Sequence, residues 1–219
     1  MIIYHGSPVT VVKPLREKCK TTNDYGQGFY CAEDIELAKE WACKDLNGGF
    51  VNIYELPEDD LKILDLKDMG LLPWIAILLS NRIVRYSSPV EKRAAEYLID
   101  HFAPIIDKYD VIIGYRADDS YFSYTRAFLS NTITLEQLGA AIKLGDLGIQ
   151  ICVKSARGFD IIKYLNAENV NGELYYPRRV NRDNRAREEY YKLLEEDTEG
   201  GIFVRDIIEK RVNDDELRI

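Results

Sequence analysis

The stretch LLPWIAILLS at positions 71–80 constrains the fold most, because it runs ten residues without a charge. A helix that crosses a bilayer needs about 20 apolar residues. This run is too short for that and carries a proline, so it reads as a core helix over roughly 70–83, buried within the protein. At 219 residues, with 46% hydrophobic and 30% charged side chains, the chain supplies one substantial core, or one core and a small appendage. The net charge of −8 argues against a surface built mainly to neutralise phosphates, although a local basic patch is compatible with it. Cys19, Cys31, Cys43 and Cys152 show no metal-ligand spacing, and no signal peptide is visible. A reduced, cytoplasmic protein without zinc or disulfides is expected.

Along the chain, Met1–Tyr4 reads as a strand stopped by Gly6 and Pro8, with His5 at its end. Turn-forming residues 22–28 precede a second short strand, Phe29-Tyr30-Cys31, and a helix over 33–44. FVNIYEL at 50–56 alternates like a half-buried strand, and 61–66 holds another. Helical patterns cover 89–103, 127–138 and 138–144; DVIIGYRADDSYF reads as a strand entering a polar loop, and IQICVKS as the last clear strand. This interleaving suggests an α+β fold. Near Asn166 the composition turns highly charged, which suggests a domain over 1–165 and a helical extension over 166–219 rather than further core. Its cluster Arg178, Arg179, Arg182, Arg185 and Arg187, beside Tyr175 and Tyr176, reads as a solvated helix face or a contact for RNA or protein.

Singly, a histidine after a strand and a glycine-rich turn are weak signals. In order, YHGS followed by GQGFYCAEDIELAKEWA resembles the NAD-binding signature of the poly(ADP-ribose)-polymerase-like, His-Tyr-Glu branch of ADP-ribosyltransferases. The stretches YHGS, TNDYGQGFYCAED, ELAKEWA and IIGYRADDSYFSYTRAFLS are more closely similar to a bacterial family known as domain of unknown function 3990, over roughly 1–165. The resemblance implies a single ADP-ribosyltransferase-like domain with a mixed or antiparallel split sheet. It also implies NAD as substrate and no metal. His5 would then bond a ribose hydroxyl, and Gly6 would clamp the nicotinamide carboxamide through its backbone, where a Cβ would obstruct the ring. Ser7 would add a ribose or supporting contact, and nicotinamide would lie between Tyr30 and Trp41. Ala38 stands where many relatives carry a serine that bonds the carboxamide, so that contact is expected to be absent.

The third catalytic position of that branch is a glutamate on the last core strand, where it stabilises an oxocarbenium-like ribosyl cation. Here the aligned residue is Gln150. An amide keeps the hydrogen bond but is no general base, so chain elongation is expected to be impaired and mono-transfer to remain. Asp118 and Asp119 are candidate acceptor-site or auxiliary acids, and Arg116 a candidate phosphate partner. The leading expectation is an NAD-dependent mono-ADP-ribosyltransferase acting on a protein or nucleic-acid acceptor, of the kind found among toxins and phage-defence effectors, with an antitoxin or regulatory partner and no membrane association. The alternative is an inactive module that binds NAD or ADP-ribose. A third class, an RNA- or protein-binding factor, would work through the C-terminal arginines.

Overall fold

The computed structural model describes residues 1–117, 119–144, 146–196, 198–212 and 217, and of residues 119–121 the backbone alone. The chain begins with β1 (Ile2–Ser7), β2 (Phe29–Ala32), α1 (Ile35–Ala42), β3 (Gly49–Glu55) and β4 (Ile63–Asp65). It continues through α2 (Leu71–Asn81), α3 (Pro89–Phe102), β5 (Val111–Tyr115), α4 (Asp119–Leu129), α5 (Leu135–Ala141) and β6 (Ile149–Val153). It ends with α6 (Ala156–Ile161), β7 (Lys163–Val170), α7 (Gly172–Leu194) and α8 (Val204–Ile208). The fold is α+β, and its described strands make one mixed sheet in the order β4-β5-β6-β2-β1-β3-β7. Among the described residues only β4 and β5 run parallel, and every other neighbouring pair is antiparallel.

The apolar stretch is α2, and eight of its side chains from Leu71 to Leu79 are buried. Pro73 lies in its first turn, where the missing N–H would have had no helical partner. Alternation divides the strands between two cores. Ile112 and Cys152 join α2–α5 on one face, while Val111, Ile151, Val153, Phe29 and Ile3 join Phe159 of α6 on the other. A third cluster seats α1 on the sheet through Ala38, Ala42, Val51 of β3 and Val170 of β7, with Tyr4 of β1 packed against it.

Two expectations change. Within the sequence DDSYF, read as a polar loop, residues 119–122 open α4, and the helices read over 127–138 and 138–144 are α4 and α5. The break between them comes from Asn131 at φ 62° and from Thr134, whose side chain forms a capping box with Gln137. The C-terminal region is charged and helical, yet it is not peripheral to the core. The expected boundary at 165 falls within β7, which pairs with β3 along its length, and Ala186, Leu193, Val204, Ile207 and Leu217 enter the same core as α2. β7 escapes a pattern reading because, as an edge strand, it buries only Val170.

Candidate functional site

β1 and β2 share a single registered pair, Tyr4 with Ala32, whereas β1 pairs with β3 at six positions. Beyond that pair the His5 ring fills the junction, with Nδ1 at 2.8 Å from the Tyr30 carbonyl oxygen. A carbonyl only accepts, so Nδ1 carries the proton and Nε2 is left as an acceptor. Burial, aided by the charge of Arg116, lowers the His5 pKa, and the bond to Tyr30 opposes that shift. The ring is therefore neutral at pH 7. Asn52, fully buried opposite His5 in β3, fixes the following loop: its Nδ2 donates to the carbonyls of His5 (3.2 Å) and Val9 (3.3 Å), and its Oδ1 accepts from Val11 N–H at 2.7 Å.

Gly6 lies under α1. A Cβ there would fall 2.1 Å from the Ala38 carbonyl oxygen and 2.6 Å from the Ala42 nitrogen. The glycine is thus required by helix packing, a different reason from the ring clearance expected of it, and this contact sets where Trp41 emerges. Ser7 is buried and its Oγ accepts from Val9 N–H at 3.3 Å, a turn contact. Ala38 is buried against Gly6. In the glycine-rich turn, Gly26 has φ 77°, a conformation costly for other residues. The turn is tied to Tyr30, whose hydroxyl donates to the Gly26 carbonyl and accepts from Tyr25 N–H, both at 2.8 Å. Burial pushes the Tyr30 phenol far up, so it stays neutral.

Tyr30 separates two hollows. One, about 580 Å³, is a polar cleft that gathers Tyr30, Trp41, Arg116 and Gln150 with Asp24, Arg82 and the α7 residues Arg179, Asp183 and Arg187. The other, about 520 Å³, is a more apolar groove containing His5, Val9, Val11, Phe29 and Tyr30. Lys20 and Asn23 border both. A slightly larger cavity of about 640 Å³ lies among α2, α3 and α8; its polar lining is Tyr97, His101 and Lys210, and no carboxylate lines it among the described residues.

In the cleft the Trp41 ring is covered by two guanidiniums, Arg116 at 4.2 Å and Arg179 at 4.5 Å from its centroid. Neither arginine has an ion-pair partner within 4.0 Å among the described residues, so the positive charge faces the cleft. Burial draws the Arg116 pKa down to about 10, with Arg182 and Arg179 adding to the shift and Asp24 opposing it. It remains charged at neutral pH. Arg182 is buried and pairs with Glu40 of α1 at 2.8 Å, joining α7 to α1. Arg178 reaches Glu36 at the surface, and Arg185 is exposed. The arginine cluster is therefore divided by helical periodicity between solvent, the cleft and the α1 seam, rather than forming one stripe.

Gln150 is 2% exposed, and its Nε2 donates to Asp24 Oδ2 at 2.7 Å and to the Tyr115 carbonyl at 3.1 Å. Asp24 is buried in turn, with Oδ1 2.8 Å from Arg82 Nε. Burial raises the Asp24 pKa, while Arg82, the Gln150 amide and the Ala117 N–H oppose the rise. Asp118 lies outside the described residues, as does the side chain of Asp119. Asp24 and Asn52 were missed from sequence for different reasons. Asp24 sits in TNDYGQG, where an aspartate reads as an ordinary turn former; Asn52 sits in an alternating strand, where a polar residue reads as solvent-facing.

Residues 1–164 match the family described as protein of unknown function, DUF3990. The chain belongs to that family. No curated protein and no solved structure matches. The DUF3990 match stops inside β7, so α7, with Arg179 and Arg182, lies beyond it.

Proposed function

We propose that this DUF3990 protein is an NAD-dependent mono-ADP-ribosyltransferase that moves ADP-ribose to a macromolecular acceptor and releases nicotinamide. The observation supporting this reading is that one cleft gathers Tyr30, Trp41, Arg116 and Gln150, from separate parts of the chain, with His5 Nε2 open as an acceptor just beyond Tyr30. The guanidiniums of Arg116 and Arg179, which have no ion pair within 4.0 Å among the described residues, suit a diphosphate, which accepts hydrogen bonds in the geometry a guanidinium offers. Trp41 then serves as the platform for these guanidiniums, and nicotinamide lies against Tyr30. Gln150 and His5 take ribose hydroxyls. Cleavage breaks the bond between ribose C1′ and the nicotinamide nitrogen, whose electron pair leaves with neutral nicotinamide. The acceptor bonds to C1′ and loses a proton to solvent.

One observation favours the alternative of a non-catalytic NAD or ADP-ribose module, namely the uncharged Gln150. Incubation with NAD labelled in the adenylate half, followed by assay of nicotinamide and of label on macromolecules, tests the proposal. Nicotinamide release with transferred label is expected. Tight NAD binding without release would leave the binding module, and no binding at all would sink both.

A further inference from the structure

Gln150 lacks the charge that would steady a ribosyl cation, and this is the main chemical objection to turnover. Its surroundings supply one. Asp24 Oδ2 accepts from Gln150 Nε2 at 2.7 Å and from Ala117 N–H at 3.3 Å, while Oδ1 accepts from Arg82 Nε at 2.8 Å. The second Gln150 amide hydrogen goes to the Tyr115 carbonyl at 3.1 Å. That carbonyl is itself fixed by Tyr25 Oη at 2.8 Å and Trp74 Nε1 at 3.1 Å. A carboxylate and a carbonyl can only accept, so the nitrogen end of the amide must face them. The end left without a hydrogen bond among the described residues is Oε1, on a side chain that lines the cleft.

We infer that Asp24 and Gln150 act as one unit: Asp24 is a positioning residue that orients the Gln150 amide and polarises it, so that Oε1 presents to the ribose the negative character otherwise supplied by a carboxylate. This rests on the transferase reading above. A carboxylate bonded to an amide N–H favours the resonance form with negative charge on oxygen, and such chained bonds strengthen one another by about 10–30% in a low-dielectric site. The Arg82 guanidinium, paired with Oδ1, opposes the rise that burial imposes on the Asp24 pKa and holds the carboxyl from the side away from Gln150. Oε1 accepts the ribose 2′-hydroxyl throughout the step. The C1′–nitrogen bond breaks with its electron pair on nicotinamide, and water or the acceptor closes on C1′ and releases a proton to solvent. Asp24 gains and loses no proton in this scheme. Its contribution grows as positive charge develops on the sugar, so it belongs to kcat rather than to ground-state binding.

The test exchanges the charge between the two positions. NAD glycohydrolysis, with water as acceptor, is measured for wild type, Asp24→Asn, Gln150→Glu and the double variant, each checked for folding by circular dichroism and thermal melting. Asp24→Asn should lower kcat by about 10- to 100-fold, the range typical of groups that act through an intermediary, with KM little changed. Gln150→Glu alone should gain little, since two carboxylates in contact share a proton. The double variant, with one carboxylate now at position 150 and an amide at 24, should recover at least wild-type kcat. Undiminished kcat in Asp24→Asn overturns the inference. So does a double variant no faster than Asp24→Asn, which would leave Asp24 purely structural, or a Gln150→Glu as fast as the double. Wild type that binds NAD but releases no nicotinamide overturns the transferase reading and this inference with it, whereas wild-type turnover with an unaffected Asp24→Asn overturns the inference alone.

Discussion

The two hollows that meet at Tyr30 are built differently. The groove on the His5 side comes entirely from residues between His5 and Tyr30, held in shape by Asn52. The polar cleft draws on Asp24, Trp41, Arg82, Arg116, Gln150 and the arginines of α7, so sheet pairing and helix packing must be complete before it exists. A local hollow can be read from a short motif, whereas a composite one cannot. The contrast also assigns them different work. The groove offers a neutral imidazole and largely apolar walls edged by Lys13, Lys18 and Lys20, while the cleft sets four arginines and Lys20 beside Asp24, Asp183 and Trp41.

Removing residues 166–219 tests the contrast most severely. It takes away most of β7, all of α7 and the core side chains Ala186, Leu193, Val204 and Ile207. Loss of soluble protein or of a cooperative melt is expected. A truncated protein that melts cooperatively and binds NAD within about tenfold, about 1.4 kcal/mol, would mean that the cleft does not need its α7 wall.

Next in size are His5→Ala and Tyr30→Ala, one on the groove side and one at the shared wall. Each should abolish NAD-dependent turnover in folded protein. Tyr30→Ala should also cost about 1–3 kcal/mol of stability, because Tyr25 N–H and the Gly26 carbonyl lose their partner. Wild-type turnover in either variant removes that residue from the site.

Arg116→Ala and Arg179→Ala probe the cleft alone. Each should weaken binding of NAD and of ADP-ribose by about tenfold and flatten its dependence on salt, as expected when a charged contact to phosphate is lost. Calorimetry at two ionic strengths reads both effects. Equal affinity in the variants would move the diphosphate elsewhere.

The smallest effect is a pH dependence. His5 has its folded pKa below the ordinary 6.5, chiefly through burial. An unfolded chain takes up the proton first as pH falls, so the stability tied to neutral His5 is complete above 6.5 and declines through the window between 6.5 and the lower folded value. The raised pKa of Asp24 works in the opposite direction, adding stability as pH falls from its folded value toward 3.8. Thermal melts of His5→Gln should therefore vary less with pH just below 6.5 than those of wild type. Parallel curves would show that His5 titrates freely.

The sequence alone determined the elements whose signal is local and repetitive. The uncharged run of α2 had to be buried, the alternation in FVNIYEL marked β3, and His-Gly-Ser and Gly-Gln-Gly placed His5 and Tyr30 at strand positions. IQICVKS marked β6, the strand that carries Gln150. Tertiary structure decided what depends on partners distant in sequence. Asp24 becomes a buried carboxylate only because Arg82 and Gln150, 126 residues away, close on it. Arg179 and Arg182 leave solvent only because α7 docks on α1, and β7 exists only because β3 offers an edge. The physical reason is common to these cases. Hydrophobic periodicity is a property of neighbouring residues, but the burial of a charge is stable only when its counter-charge or donor is in place, and that requirement is met by the folded chain as a whole.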